Sequence, residues 1–574
     1  VRRTAPRDYG RFAAKEGYEM RRGILVLLLV GAVAAVWTAA GSGSGDKTSA
    51  ATDHAAAGTS VTISNEQGAT WTCGYNPFNA SLVDWSFGPI YEPLVFVDAL
   101  KSGAATPWLA SKYAWSNHNK TITFTIRPGV KWSDGKPLTA ADVVFTFKLM
   151  KKYPATDLQA VWTVLKSVTH KGSKVTLNFK TAAVPYFYYV AGQTPIVPQH
   201  IWKSIKNPVT YKDTHPLGSG PFKFASCSPQ VMKYSKNGHY WQKGKPKIDT
   251  VYYPAYTSND PANQDLASGA AQWGSQFIPN INALYLSKSK DNHYWFPPVT
   301  NVSIFINLKN SILKDVAVRR AMAYAVNRSR AAKIGEYGYE PAANQTGIVT
   351  PTFKSWLNKG LAKKINYNPT KAKQILTKAG YKYSGGVFHT KSGKALKFTM
   401  INIGGYSDWI ASAKLVEEDL AAIGIKVTTS ALSSTSYDND VYTGKYDLAY
   451  DGNESGGPSP YYELRQELYG PNSAPIGKTA SSNWERYYNK KVDSLIKAYA
   501  ATTSSAKQHS IVNQLQAAMV RDVPIIPITE SVDWYQYNTK SLGGWVTKQN
   551  PFAKPSAFEV PDWGVMLLHL KPKG

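Results

Sequence analysis

The sequence predicts an α/β protein of more than one domain, built from open sheets with helical cover. Three observations carry that expectation. The chain has 574 residues, more than one hydrophobic core usually organises. Its 43% hydrophobic and 18% charged content is that of a globular protein. Strand-like alternation and capped helical periodicity succeed one another along the chain, the pattern that packs helices onto sheets.

The folded body is expected to begin near Val61. Leu82 to Phe96 mixes apolar and aromatic residues around Gly88 and Pro93, which predicts a helix or irregular segment and then a strand. Lys120 to Arg127, KTITFTIR, alternates as a strand does. The stretch VKWSDGKPLTAADVVFTF, Val130 to Phe147, follows. Asp134-Gly135 reads as a tight turn, because glycine tolerates positive φ and aspartate bonds its own backbone. Thr139 with Asp142 reads as a capping box, and Val143, Val144, Phe147 and Met150 recur at helical spacing. Lys174 to Phe179 is a predicted strand, and Pro195 to Lys203 a loop feeding a one-turn helix. PLGSGPFKF, Pro216 to Phe224, predicts a tight connection into a strand and a domain crossing; it lacks the GK[ST] ending of a phosphate loop.

After Asn301 to Asn310 helices become common. Asp315 to Val326 is one. In NPTKAKQILTKAGY, Asn368 is the expected N-cap, Pro369 the first helical residue and Gly380 the terminator. Asp408 to Ile423 is an amphipathic helix stopped by Gly424, ahead of a strand at Ile425 to Thr429. Val492 to Tyr499 and Gln508 to Met519 complete the set. Ile525 to Leu570 has little helical periodicity and is expected to return to an earlier domain.

Residues 1–60 are expected to stand outside the fold. Arg21 and Arg22 precede the apolar run Ile24 to Ala40, which passes into Gly41-Ser-Gly-Ser-Gly45 and a small-residue tract, the layout of an export signal. Met20 is a candidate start. The run is short for a bilayer span, so cleavage and retention as an anchor both stay open. The net charge of +28 comes mostly from dispersed lysines, with no tract of five or more basic residues and few arginines after Arg22. A solvated basic surface accounts for that better than nucleic-acid recognition, which is not expected. An exported chain permits a bond between its two cysteines, Cys73 and Cys227; two buried thiols are the alternative.

No catalytic grammar emerges. The ten histidines are dispersed, with no HExxH or Cys/His cluster. There is no GxSxG or SxxK, and Glu417-Glu418 with Lys414 one turn back reads as surface pairing. Neither enzyme activity nor a cofactor or metal is expected. The 36 tyrosines and 17 tryptophans suit a binder, since each ring offers an apolar face with a polar edge.

YEPLVF (Tyr91 to Phe96), IRPGVKWSDGKPLTAADVVFTF (Ile126 to Phe147), PLGSGPFKF, VRRAMAYAVNRS (Val318 to Ser329), NPTKAKQILTKAGY, AAIGIKV (Ala421 to Val427) and GKYDLAY (Gly444 to Tyr450) occur in this order. Together they resemble the motif series of the peptide/nickel family of ABC-transporter solute-binding proteins, family 5, over nearly all of Val61 to Leu570. The resemblance implies a periplasmic-binding-protein type II fold (cluster C), a two-lobed hinged clamp. Lobe I would comprise 61–108, 215–303 and 528–574, an additional α+β domain would be inserted at 109–214, and lobe II would be 304–527. Crossings near 303 and 528 would be hinges, and Lys131, Trp132 and Asp134 would hold a turn in the inserted domain.

The resemblance also implies a ligand between the lobes, an oligopeptide or alternatively an oligosaccharide, presented by a monomer to a membrane permease outside the cell. A scaffold or adhesion protein with a dead cleft is the outside competitor. Two segments are expected at the cleft. Asn65 to Phe78 supplies Glu66, Trp71, Tyr75 and Asn76, and Tyr450 to Tyr462 supplies Asp451, Asn453, Glu454 and Tyr461. Trp273, Asn307, Tyr406 and Trp409 are further candidates, whereas Arg319 and Arg320 are expected in structural pairs. Peptide-binding members pair an aspartate with the peptide's amino terminus; here Gly456 stands in its place, with Glu454 as substitute or a ligand without a free amine. Ser42 stands where a lipidated cysteine would be expected, which implies release or retention by the apolar segment.

Overall fold

The computed structural model describes residues 59–66, 68–452 and 456–573. The expected export segment, and Asn453 and Glu454 in the cleft, lie outside the described residues. Three sheets organise the rest. Lobe I carries a seven-stranded sheet in the order Asn292–Tyr294, Gln536–Asn538, Trp273–Gly274, Ser60–Ser64, Thr250–Pro254, Val231–Lys236, Phe222–Cys227. Its central strand Ser60–Ser64 runs parallel to both neighbours, and the outer pairs are antiparallel. The segment after Ile525 does return to lobe I, as Gln536–Asn538 and the buried helix Asp562–His569.

The inserted domain is a four-stranded antiparallel sheet, ordered Ala110–Ser116, Thr121–Ile126, Lys174–Phe179, Leu165–Lys171, backed by the helix Ala140–Lys152. The helix starts as its sequence dictates: the Thr139 N–H donates to Asp142 Oδ2 at 2.8 Å, and the Ala141 N–H donates to Thr139 Oγ1 at 3.3 Å. Val143, Val144, Phe147 and Met150 are buried beneath it. In the preceding turn Gly135 has φ +86°, Trp132 is fully buried, and Asp134 meets His200 Nε2 at 2.9 Å. Nothing there faces a cleft.

Gly218 and Gly220 explain the PLGSGPF connection. A Cβ would lie 1.9 Å from the Ile90 carbonyl oxygen at Gly218 and 2.2 Å from that of Pro89 at Gly220. Only glycine lets this backbone lie against backbone, where the Gly220 N–H donates to Ile90 O at 2.8 Å. Cys73 and Cys227 form a disulfide with Cα atoms 5.7 Å apart, tying the loop after the first strand to an edge strand of the same sheet.

Lobe II has a five-stranded sheet, ordered Lys426–Leu432, Lys397–Ile403, Leu448–Gly452, Pro298–Ile306, Ile525–Val532. Its last two strands bring the chain in and take it out, paired from Phe305–Ile525 to Pro298–Val532. Their ladder runs through the expected crossings near 303 and 528 and continues to Pro298 and Val532. There the Trp295 N–H donates to Tyr535 O at 3.0 Å and the Asp533 N–H to Pro297 O at 2.9 Å. The capped helices form as predicted, Pro369–Lys378 with Asn368 accepting from the Lys371 N–H and Ser407–Ala422 ending before Gly424. Arg319 Nη1 donates to the Leu313 carbonyl at 2.8 Å and Nε to that of Val523 at 2.8 Å, so its structural partners include main-chain carbonyls.

Candidate functional site

The two lobes and the inserted domain meet along a polar seam. The strand Lys397–Ile403 ends in Gly404-Gly405, and the helix Ser407–Ala422 starts at once behind Tyr406. Gly405, at φ +116°, presses lobe II backbone onto lobe I: a Cβ there would sit 2.4 Å from Thr257 O and 3.3 Å from Glu66 Oε1. Beside it Asn259 Nδ2 donates to Ser407 Oγ at 3.0 Å. Farther along, the helix Pro460–Leu468 of lobe II meets the inserted domain. The Tyr462 hydroxyl donates to Pro185 O at 2.9 Å, Arg465 Nη2 donates to Gln159 O at 3.1 Å, and the Arg465 guanidinium lies 4.9 Å from the Tyr189 ring centre.

Carboxyl groups gather at the Gly405 end. Glu66 from lobe I is buried, and burial, then the Asp408 carboxylate, push its pKa up to about 9 against the pull of the Gly68 amide. Asp408, in the first turn of its helix, is pushed up to about 6 by burial although backbone N–H groups and Asn259 favour its anion. Asp438 is raised to about 6 by burial. The Tyr406 phenol is raised first by burial and then by the charges of Glu66, Asp438, Asp408 and Asp451. Behind Asp408, burial and neighbouring carboxyls hold Glu336 well above its ordinary value and Glu340 at about 8. No ion pair among the described residues involves Glu66, Asp408 or Asp438. Trp409 completes this surface, its ring centre 5.2 Å from that of Tyr406 and its Cζ2 3.4 Å from where a Gly452 Cβ would stand.

Gly456 has different company. A Cβ built on it would point at Lys554 Nζ, 3.5 Å away, with Thr300 Cγ2 at 3.4 Å. Lys554 is buried and ion-paired with Glu559. Burial would lower its ammonium, yet Glu559, Tyr188, Asp562 and Asp533 hold it above the ordinary lysine value. Burial raises Asp562 to about 7 and Asp533 well above the carboxylate range, the latter helped by Glu559. The slot that would hold an amine-pairing aspartate thus faces a cation.

Several sequence candidates point elsewhere. Trp71 Nε1 donates to Tyr253 O at 2.7 Å and Trp273 Nε1 to Pro555 O at 3.0 Å, and both indoles are buried in lobe I. Tyr75 packs between Phe224 and Tyr234. Asn76 Nδ2 donates to Pro208 O and Tyr211 O, anchoring the end of the inserted domain. Asn307 Nδ2 donates to Gly444 O and Tyr446 O within lobe II, and Tyr461 stacks on Tyr499 at 4.2 Å. Each has its contacts inside the protein because it fills a core beside the seam. The seam gathers Glu66, Tyr406, Trp409 and Asp451 from the candidates, and adds Asp408, Asp438 and Lys554, which sequence reasoning missed. Asp408 read as an ordinary helix-start acid, and no local pattern marks the other two. Among the described residues no group of His, Cys, Asp and Glu is arranged to hold a metal ion, and no helix is long and apolar enough to cross a membrane.

The oligopeptide-binding protein AppA of Bacillus subtilis is 28% identical over 444 residues, spanning 72% of this chain and 78% of that protein. A periplasmic oligopeptide-binding protein of Thermotoga maritima, solved with mannohexaose bound, superimposes with a TM-score of 0.83 at 27% identity, covering 90% of this chain and 99% of that one. The structure of Bacillus subtilis AppA with a nonapeptide shares the fold at a TM-score of 0.76 and 22% identity, with 90% and 99% covered. Residues 104–474 match the family described as "Bacterial extracellular solute-binding proteins, family 5 Middle". With two lobes joined by paired crossing strands and a polar seam between them, the chain belongs to the family 5 extracellular solute-binding proteins of bacteria.

Proposed function

We propose that this protein captures an oligopeptide between its lobes and hands it, chemically unaltered, to the permease of an ABC importer. The observation that carries the reading is the seam itself, where polar groups of lobe I, lobe II and the inserted domain face one another. A ligand that touches both halves offsets the cost of ordering the hinge, and a peptide backbone offers donors and acceptors at regular spacing. Glu66, Tyr406, Trp409 and Asp451 are the residues we assign to ligand contact. The protein acts as a monomer outside the cytoplasmic membrane, with no role for nucleic acid. Residues 1–60 direct export, and the mature protein is released or held by the apolar segment; mass spectrometry of its N-terminus distinguishes the two. Calorimetric titration with a mixed di- to pentapeptide library tests the ligand class: binding heat is expected, and its absence rejects the peptide reading.

A second reading, an oligosaccharide ligand, is favoured by Lys554, whose ammonium stands 3.5 Å from a Cβ built on Gly456. The Thermotoga maritima relative with mannohexaose points the same way. Heat with mannohexaose and none with peptides would select it.

A further inference from the structure

The acids around Tyr406 carry an inference that rests on the peptide reading and narrows it. Glu66 stands on lobe I, with its Oε1 3.3 Å from where a Cβ on Gly405 of lobe II would sit, while Asp408, Asp438 and Asp451 stand on lobe II. The buried Glu66 Oε1 receives no hydrogen bond among the described residues, and neither does Oε2 of Glu336 behind it. Buried carboxyl groups are ordinarily paired or coordinate a cation, since desolvating an isolated anion is costly. No arginine or lysine among the described residues forms an ion pair with Glu66, Asp408 or Asp438. Two aromatic rings, Tyr406 and Trp409, stand in a T-shaped pair beside these acids, and aromatic faces attract organic cations. At Gly456 the sign is opposite, because Lys554 occupies the ground in front of it.

We propose that the cleft recognises an organic cation: the ligand's ammonium or guanidinium seats between Glu66 and the lobe II acids Asp408, Asp438 and Asp451, against Tyr406 and Trp409, and not at Gly456. Such a group bridges the lobes and supplies a counter-charge to Glu66, Asp408 and Asp438. The raised values of Glu66, Asp408 and Asp438 agree with acids awaiting it.

The test is calorimetric titration of the full chain with four probes: pentaalanine, N-acetyl-pentaalanine amide, the same acetylated amide with its central alanine replaced by lysine, and mannohexaose. Free pentaalanine and the lysine peptide are expected to bind at least about tenfold more tightly than the acetylated alanine peptide. In Glu66→Gln and in Asp438→Asn, with folding verified by thermal melting, that advantage shrinks to within about threefold. Equal binding of all three peptides overturns the inference and leaves the peptide reading standing. A cation preference undiminished in both variants also overturns it, since the cation is then read elsewhere. Binding of mannohexaose alone, or no heat with any probe, overturns both.

Discussion

Glu66 is the residue on which the chemistry of the seam turns. Its pKa rises from 4.5 to about 9, so between those values the folded form holds a proton that the unfolded chain releases. The folded form binds more protons across that window, and stability therefore falls as pH rises through it. Asp408 and Glu340 are shifted in the same direction. The thermal midpoint of the ligand-free protein is expected to drop between pH 5 and pH 9, and Glu66→Gln to flatten the drop; an unchanged slope would remove Glu66 from this account. Lys554 offers a second test. Changing it to methionine strands Glu559, Asp533 and Asp562 without their cation and should cost about 3–5 kcal/mol in denaturant unfolding. Adding Glu559→Gln should restore part of that loss, because it removes one of the stranded charges.

Among the elements, glycine-forced contacts and caps give the clearest expectations. Gly218→Ala drives a methyl into the Ile90 carbonyl and should destabilise by about 1–3 kcal/mol or more. Thr139→Ala removes one cap and should cost about 1 kcal/mol, with ligand affinity unchanged. Replacing both Cys73 and Cys227 by alanine should cost about 2–5 kcal/mol, read as a lower denaturant midpoint. These elements were legible in the sequence because their signals are local: the capping box at Thr139, proline and glycine around Pro369–Lys378, the alternation of Lys174–Phe179. The helices Pro460–Leu468 and Asp562–His569 were not. Asp562–His569 is almost wholly apolar and so has no polar face to give it a period, whereas in Pro460–Leu468 the polar residues Glu463, Arg465, Gln466 and Glu467 are themselves buried. The site was less legible still. Trp71 and Trp273 looked like ligand platforms and are core, whereas Asp408 and Lys554 acquire meaning only from partners that folding brings together.

At the scale of the molecule, closure of the proposed clamp would turn one half against the other at the two crossing segments beside Pro298 and Val532. X-ray scattering should report a smaller radius of gyration on adding whichever probe binds, and an unchanged curve with a bound ligand would argue against closure. The disulfide does not restrain that motion, since both its cysteines lie in lobe I. The Arg465 contact has a wider consequence. Where the helix Pro460–Leu468 lies against the inserted domain, the groups that touch include a guanidinium, tyrosine hydroxyls and main-chain carbonyls. Parting these surfaces also bares the Tyr462 ring, whose centre lies 4.8 Å from that of Tyr188 and 5.3 Å from that of Tyr189. Separation therefore forfeits aromatic packing as well as hydrogen bonds, so the contact resists opening on both counts.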